Sequence, residues 1–340
     1  MNDPILTEDV PFRVLRRTWQ PVSLSRELGE GAVREIRLLD QDLIVARFPG
    51  RLLAAQPGCP HKGMRLVQGS IAGGELRCPY HGWKFDAAGA CTNIPSLLEP
   101  LPNKQEQARL ETYDVQERYG MIWVKLDRGP GVPLPDVPEF EDPGWTYAVA
   151  EPMTFRAGFR REIENYLDMT HFAFAHATTL GVAADTVVPD LRIEETPDGF
   201  LMEAPFPSLA SPEHPPGKLQ QAHRRRQRCW LPNFTTIRQS FQDGDERVLL
   251  HVPSPVASQE CRVFWSLAIS PGFRGPSPAQ QMEFAVRVLE EDRRMCENQV
   301  PREVPINPSK GGWGVLVTPG DTLANTFQRT FRKFLLRSLS

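Results

Sequence analysis

The sequence holds 340 residues, 24% of them charged, with a formal net charge of −3. That length predicts two domains with sizeable cores, and the balanced charge carries no nucleic-acid footprint. No apolar run is long enough to cross a bilayer, and the acidic opening Met1–Val10 lacks an apolar signal core, so the expectation is a cytoplasmic chain with no membrane partner.

Residues 12–55 read as short strands, with Ile44–Phe48 and Leu52–Ala55 flanking a turn at Pro49-Gly50. Next come Cys59-Pro60-His61 and, sixteen residues further on, Cys78-Pro79-Tyr80-His81. Thiolates hold iron–sulfur clusters, and imidazoles in place of two thiolates on one iron raise the potential; this is the Rieske [2Fe–2S] centre. The rival reading is a structural zinc site. A zinc finger, however, groups cysteine with cysteine and histidine with histidine, whereas here each cysteine is grouped with a histidine. The loops Cys59-Pro-His-Lys-Gly63 and Cys78-Pro-Tyr-His-Gly-Trp83 closely resemble the two Rieske loops, with Lys62 where arginine is commoner. The other cysteines, Cys91, Cys229, Cys261 and Cys296, have no ligand spacing and read as reduced, packed thiols. A strand over Tyr119–Lys125 completes a small all-β unit, and five prolines between residues 128 and 144 mark the boundary. The expected domains are therefore 1–128 and 129–340.

Few prolines or glycines interrupt residues 160–176, which read as a helix carrying Asn165, Asp168, His171 and His176. Asp168 and His171 share a face, but His171 and His176 stand about 140° apart on an ideal helix. They can meet at one metal only if the helix bends, bulges or ends between them. A facial triad for Fe(II) needs two imidazoles and one carboxylate, with positions left open for O2. Residues 281–299 supply a candidate. On this amphipathic helix Met282, Phe284, Ala285, Val286, Val288, Leu289, Met295 and Cys296 share one apolar arc. Asp292 lies near the middle of that arc, Glu290 opposite and Glu291 at its edge. A carboxylate on a buried face must be paired or bind a metal. An ion pair with Arg293 is one reading; beside the histidine pair, Asp292 as third iron ligand is the favoured one.

With these motifs in place, the chain resembles the catalytic subunit of Rieske non-haem iron oxygenases over essentially its whole length. The segment Asp168–Gly181 is most similar to the vanillate O-demethylase and toluenesulfonate methyl-monooxygenase branch. The resemblance implies an α+β architecture: an all-β Rieske domain, then a helix-grip (START-like) catalytic domain with an antiparallel sheet and long helices. Residues 233–241, 247–252 and 262–270 supply strands for that sheet, the first two joined by a turn at 242–245. It further implies a [2Fe–2S] cluster on Cys59, His61, Cys78 and His81, and Fe(II) on His171, His176 and Asp292. Asp168 would bridge His171 to a cluster histidine, expected to be His81, of the neighbouring chain in a homotrimer. Asn165 would sit close to the iron.

The reaction implied is O2-dependent hydroxylation or oxidative demethylation of a small aromatic or apolar molecule. Electrons would come from NAD(P)H through a separate reductase, with or without a ferredoxin, since no flavin or nicotinamide motif is evident. Competing readings are a Rieske electron carrier without oxygenase activity, a zinc-stabilised interaction protein, and an oxygenase that desaturates or closes rings. Asn233 and His251, on strands expected to face the cavity, are candidates to bind substrate. The basic run Arg224–Arg228 reads as a solvated strand or loop, or else as a docking patch for an acidic redox partner. Leu323, Phe327, Phe331, Phe334 and Leu335 recur at helical spacing and read as core.

Overall fold

The computed structural model describes residues 6–99, 101–177, 179, 191–205, 222–241, 243–307 and 316–339. The chain divides into two units, one spanning Leu15–Leu134 and one combining the residues up to Val14 with Pro135–Ser340. The division falls within the proline-rich stretch, six residues beyond the expected boundary at 128. Residues 6–14 group with the second unit because their polar groups are satisfied there. The Glu8 carboxylate accepts from the Ile306 amide at 3.0 Å and faces Arg160 at 3.6 Å, and the Leu6 carbonyl accepts from the Asn307 side chain.

Helix α1 (Val10–Leu15) leads into β1 (Gln20–Leu24), and β2 (Val33–Leu38), β3 (Gln41–Phe48) and β4 (Arg51–Ala55) follow as a meander. The run Leu43-Ile44-Val45-Ala46 in β3 is wholly buried, the mark of a strand covered on both faces. Gly50 supplies the left-handed conformation (φ 67°) for the turn from β3 to β4. Then come β5 (Ser70–Ala72), β6 (Glu75–Arg77), β7 (Lys84–Phe85), β8 (Cys91–Asn93), α2 (Pro102–Gln107), β9 (Thr112–Arg118) and β10 (Met121–Lys125). They build a six-stranded sheet in the order β1-β10-β9-β4-β3-β2 and a four-stranded sheet in the order β5-β6-β7-β8. Ile44, Phe48, Leu53, Leu66, Leu76 and Phe85 form a core that also includes Cys59 and Cys78. Each large apolar side chain buried there contributes about 1.5–3 kcal/mol.

The second unit is built on an antiparallel sheet of β11 (Thr146–Val149), β12 (Met153–Phe155), β13 (Arg192–Thr196), β14 (Gly199–Pro205), β15 (Ala222–Trp230), β16 (Phe234–Phe241), β17 (Glu246–Ala257) and β18 (Glu260–Ile269). Its order is β11-β18-β17-β16-β15-β14-β13, with β12 beside β18. The three strands expected from sequence are β16, β17 and β18; the last two run longer because they remain paired to Ala257↔Glu260. The turn expected at 242–245 includes Gln242, which lies outside the described residues. Helices α3 (Phe159–Leu167), α4 (Phe172–Ala175), α5 (Pro278–Asn298) and α6 (Thr322–Leu339) complete the unit. A capping box starts α5, where the Gln280 side chain accepts from the Ser277 amide at 2.9 Å and the Ser277 hydroxyl accepts from the Gln280 amide at 3.4 Å. The buried stripe Leu323, Phe327, Phe331 and Leu335 fixes α6, with Phe331 edge-on to Phe159 of α3 at 5.9 Å. Phe334 is half-buried and stacks on Phe331.

Candidate functional site

The expected continuous helix over 160–176 is not what forms. Helix α3 ends at Leu167, and Asp168 takes an extended conformation (ψ 138°). The Asp168 carboxylate competes with the helix for backbone donors: its Oδ1 accepts from the Thr170 amide and the Thr170 hydroxyl, both at 2.7 Å. A single turn, α4, follows, with His171 as its N-cap and His176 as its C-cap. This short turn lets the two imidazoles converge. Their Nε2 atoms are 3.1 Å apart, and Asp292 Oδ1 from α5 lies 3.4 Å from His171 Nε2 and 3.1 Å from His176 Nε2. Three donors spaced in this way would suit one metal ion held by two imidazoles and a carboxylate.

Each donor is held from behind. His171 Nδ1 faces Asp168 Oδ2 at 3.1 Å, and His176 Nδ1 faces Glu291 Oε2 at 2.8 Å. Glu291 also accepts from the Thr179 hydroxyl at 2.6 Å, and the Asn165 amide donates to Asp292 Oδ1 at 2.6 Å. Such outer partners fix the tautomer and ring orientation of ligating histidines. Burial disfavours a charged His171, but Asp168 and Asp292 outweigh it and raise its pKa to about 9. Burial opposes ionisation of Asp292 too, yet the two imidazoles hold its pKa below the ordinary value. Asp292 is 8% exposed, and the alternative ion pair with Arg293 does not form. Arg293 instead reaches Glu290 at 2.8 Å and Glu297 at 3.3 Å. Sequence reasoning put Glu291 at the edge of the apolar arc and gave it no role; a second acid one residue from the candidate ligand was the available signal.

The first unit carries two matched loops. Cys59 N bonds Met64 O at 2.8 Å and Gly63 N bonds Cys59 O at 2.8 Å; correspondingly, Cys78 N bonds Trp83 O at 2.8 Å and Gly82 N bonds Cys78 O at 3.1 Å. Gly63 and Gly82 both adopt positive φ, 72° and 67°. The rings of His61 and His81 meet with centroids 4.5 Å apart, and Trp83 stacks on His61 at 4.5 Å. Burial and the neighbouring Cys78 push the Cys59 thiol up to about 11, so a Cys59 thiolate there calls for a compensating cation. His61 Nδ1 is buried and has no hydrogen-bond partner among the described residues. An orphaned imidazole nitrogen beside two buried, adjacent cysteines fits a [2Fe–2S] cluster, which accepts two thiolates and two imidazoles.

The two substrate candidates have protein partners. The Asn233 side chain donates to Pro253 O at 2.7 Å. His251 Nε2 faces Glu162 at 2.7 Å, and its ring stacks on Tyr166 at 3.8 Å. The basic run lies on β15 and splits by face. Arg224 and Arg226 pair with Glu203 at 2.7 and 2.5 Å, and Arg228 pairs with Asp198, whereas Arg225 and Gln227 point inward and are buried.

The chain is similar to known proteins over both of its units. Residues 18–113 match the Rieske [2Fe-2S] domain, and residues 155–337 match the vanillate O-demethylase oxygenase C-terminal domain. The chain is 30% identical to the methylxanthine N1-demethylase NdmA of Pseudomonas putida over 318 residues, covering 90% of this chain and 86% of that protein. The structure of NdmA with caffeine superposes with a TM-score of 0.81 at 26% identity, covering 97% and 93% of the two chains. Over 179 residues (48% of this chain and 39% of the other) it is 31% identical to the 5,5'-dehydrodivanillate O-demethylase oxygenase subunit of a Sphingobium strain. The chain belongs to the Rieske non-haem iron oxygenases, as an oxygenase subunit with a Rieske domain and a catalytic domain of the vanillate O-demethylase type.

Proposed function

We propose that this oxygenase removes a methyl group from nitrogen or oxygen of a small aromatic molecule, or hydroxylates such a molecule, at iron held by His171, His176 and Asp292. The observation that carries this reading is the convergence of those three donor atoms within 4.8 Å of one another. Cys59, His61, Cys78 and His81 would hold the cluster. When bound, the cluster would supply single electrons and the mononuclear iron O2 activation. A hydroxylated methyl group on nitrogen or oxygen then leaves as formaldehyde. The choice of a methyl group draws on the relatives, whose names describe N- and O-demethylases.

The chain's own residues have defined tasks. Glu291 and Asp168 orient the two imidazoles so that each Nε2 lone pair faces the metal position. Asn165 fixes the Asp292 oxygen that shares that position. Asp168 can do more in a homotrimer, where it would join His171 to His81 of the neighbouring copy and couple the two metal sites. A separate NAD(P)H-dependent reductase, with or without a ferredoxin, would deliver electrons. No described helix is long and apolar enough to cross a membrane, and we place the enzyme in the cytoplasm.

Iron content per chain after anaerobic purification tests the reading, measured beside formaldehyde release from N- and O-methylated aromatics with reductase supplied. The expected result is about three irons in the wild type and about two in Asp292→Ala, with the cluster spectrum retained and formaldehyde release lost. About two irons in both proteins under full loading would overturn it.

A further inference from the structure

The inner face of the catalytic sheet carries a positive charge that the metal site does not use. Arg225 is 4% exposed. Its register, opposite Ala204 and Gln239, sets it on the same face as Gln227 two residues on. The pairings Cys229↔Thr235 and Thr235↔His251 put that face against α3, because His251 meets Glu162 and Tyr166 there. The neighbours Arg224 and Arg226 point outward to Glu203. Arg225 has no carboxylate partner among the described residues. Its Nη2 donates to the neutral Gln227 Oε1 at 2.8 Å, and its Nε is buried with no partner among the described residues.

Two further donors beside it lack an acceptor. The Gln227 oxygen accepts from Arg225, and among the described residues its buried Nε2 and the buried Tyr166 hydroxyl have no hydrogen-bond partner. Burial pushes the Tyr166 phenol up, and Arg225 is the strongest charge acting against that shift. Burial likewise lowers the Arg225 pKa, with Tyr166 opposing. The Asp292 carboxylate, held by the Asn165 amide, acts on the Tyr166 phenol, which places this group of donors near the candidate metal position. Arg247, in the same cross-strand row as Arg225 and Gln239, also bonds only neutral oxygens, Gln239 Oε1 at 2.6 Å and Gln281 Oε1 at 2.5 Å. A buried guanidinium without a counter-charge is costly unless an anion joins it. Arg225 Nε, Gln227 Nε2 and the Tyr166 hydroxyl, without a hydrogen-bond partner among the described residues, can each donate to such an anion.

We propose that Arg225, with Gln227 and Tyr166, anchors a carboxylate on the substrate, so that the enzyme acts on small organic acids. This rests on the oxygenase reading and names its substrate class. The planar fork of arginine matches a carboxylate in geometry as well as charge. Arg225 is then a specificity-determining residue that holds one end of the acid while the other end faces the metal position.

The test is anaerobic equilibrium binding to the holoenzyme with matched pairs: benzoate with benzamide, anisate with anisamide, phenylacetate with phenylacetamide. At least one acid binds roughly tenfold or more tightly than its amide. That preference disappears in Arg225→Gln, partly survives in Arg225→Lys and is unchanged in the surface control Arg226→Gln. Tyr166→Phe, a milder change that keeps the ring stack on His251, weakens acid binding several-fold and leaves amide binding alone. No preference for any acid in the wild type would overturn the proposal, as would a preference that persists in folded Arg225→Gln. The titrations need neither O2 nor reductase. Repeated in Asp292→Ala, they retain the acid preference, which separates failure of the anchor from failure of the metal assignment.

Discussion

The two metal-binding regions are assembled at different scales. The four cluster candidates lie within residues 59–81, on two loops whose backbone hydrogen bonds repeat each other. The iron candidates come from α4 and from α5, with 115 residues between His176 and Asp292. The first site is closed by local turns and needs only its own unit. The second exists only when α5 packs correctly against the segment that follows α3. Loss of catalytic-unit packing should therefore erase one site and spare the other.

The sharpest way to break the comparison is to remove one candidate ligand from each site. Asp292→Ala should lose turnover entirely along with about one iron, and Cys59→Ser should lose about two irons and the visible spectrum while the mononuclear metal stays. Iron analysis beside the absorption spectrum reads both, and parallel loss in either variant would mean that the sites are not independent. Gly199→Ala acts on packing instead. A Cβ at Gly199, whose φ is 156°, would stand 1.9 Å from the carbonyl oxygen of Cys229 on the adjacent strand. We expect a cost of roughly 2–3 kcal/mol, seen as a lower melting transition for the catalytic unit with the cluster absorption persisting above it. A single transition in which both signals vanish together would contradict separate units.

Glu291→Gln sharpens the comparison at smaller scale. It keeps the shape and removes the charge facing His176 Nδ1. Iron affinity should fall roughly ten- to hundredfold, measured by chelator competition, with the cluster untouched. An unchanged affinity would mean that Thr179 and the backbone suffice to set the ring.

The same contrast of scales explains what could be read from the sequence. The Rieske domain was legible because the cysteine and histidine spacing that marks its loops is a property of a few consecutive residues. Asp292 was legible because a carboxylate in the middle of an apolar arc violates the helix's own pattern. The break at Asp168 was not, since it depends on a side-chain cap to Thr170 that competes with an otherwise good helix. Asn233 and His251 drew attention as polar residues on core strands, but their partners, Pro253 and Glu162, are fixed by tertiary packing. Arg225 was hidden inside a basic run taken as one solvated feature. A strand alternates faces at every residue, so the run was in fact two populations, three arginines outside and one within.

The smallest effect expected is a pH dependence of the metal-free catalytic unit, and its sign follows from His171. Burial alone would lower this pKa, but Asp168 and Asp292 raise it to about 9 from an ordinary 6.5. Folded protein therefore binds the proton more tightly than unfolded chain, and the stabilisation is complete below 6.5 and lost as pH rises through about 9. His176 is raised in the same direction, burial again opposing and Asp292 prevailing. The lowered Asp292 and Asp168 titrate below this window and do not cancel the trend. With the mononuclear metal stripped by chelator and the cluster retained, the catalytic melting temperature should fall steadily across that range. Metal takes the place of the proton on the imidazoles, so the loaded protein should lose that slope, and metal uptake at neutral pH should release about one proton per site. Calorimetry in buffers of different ionisation enthalpy counts that proton. A flat metal-free profile, or the same slope with metal bound, would mean that Asp168 and Asp292 do not hold a proton between the two histidines.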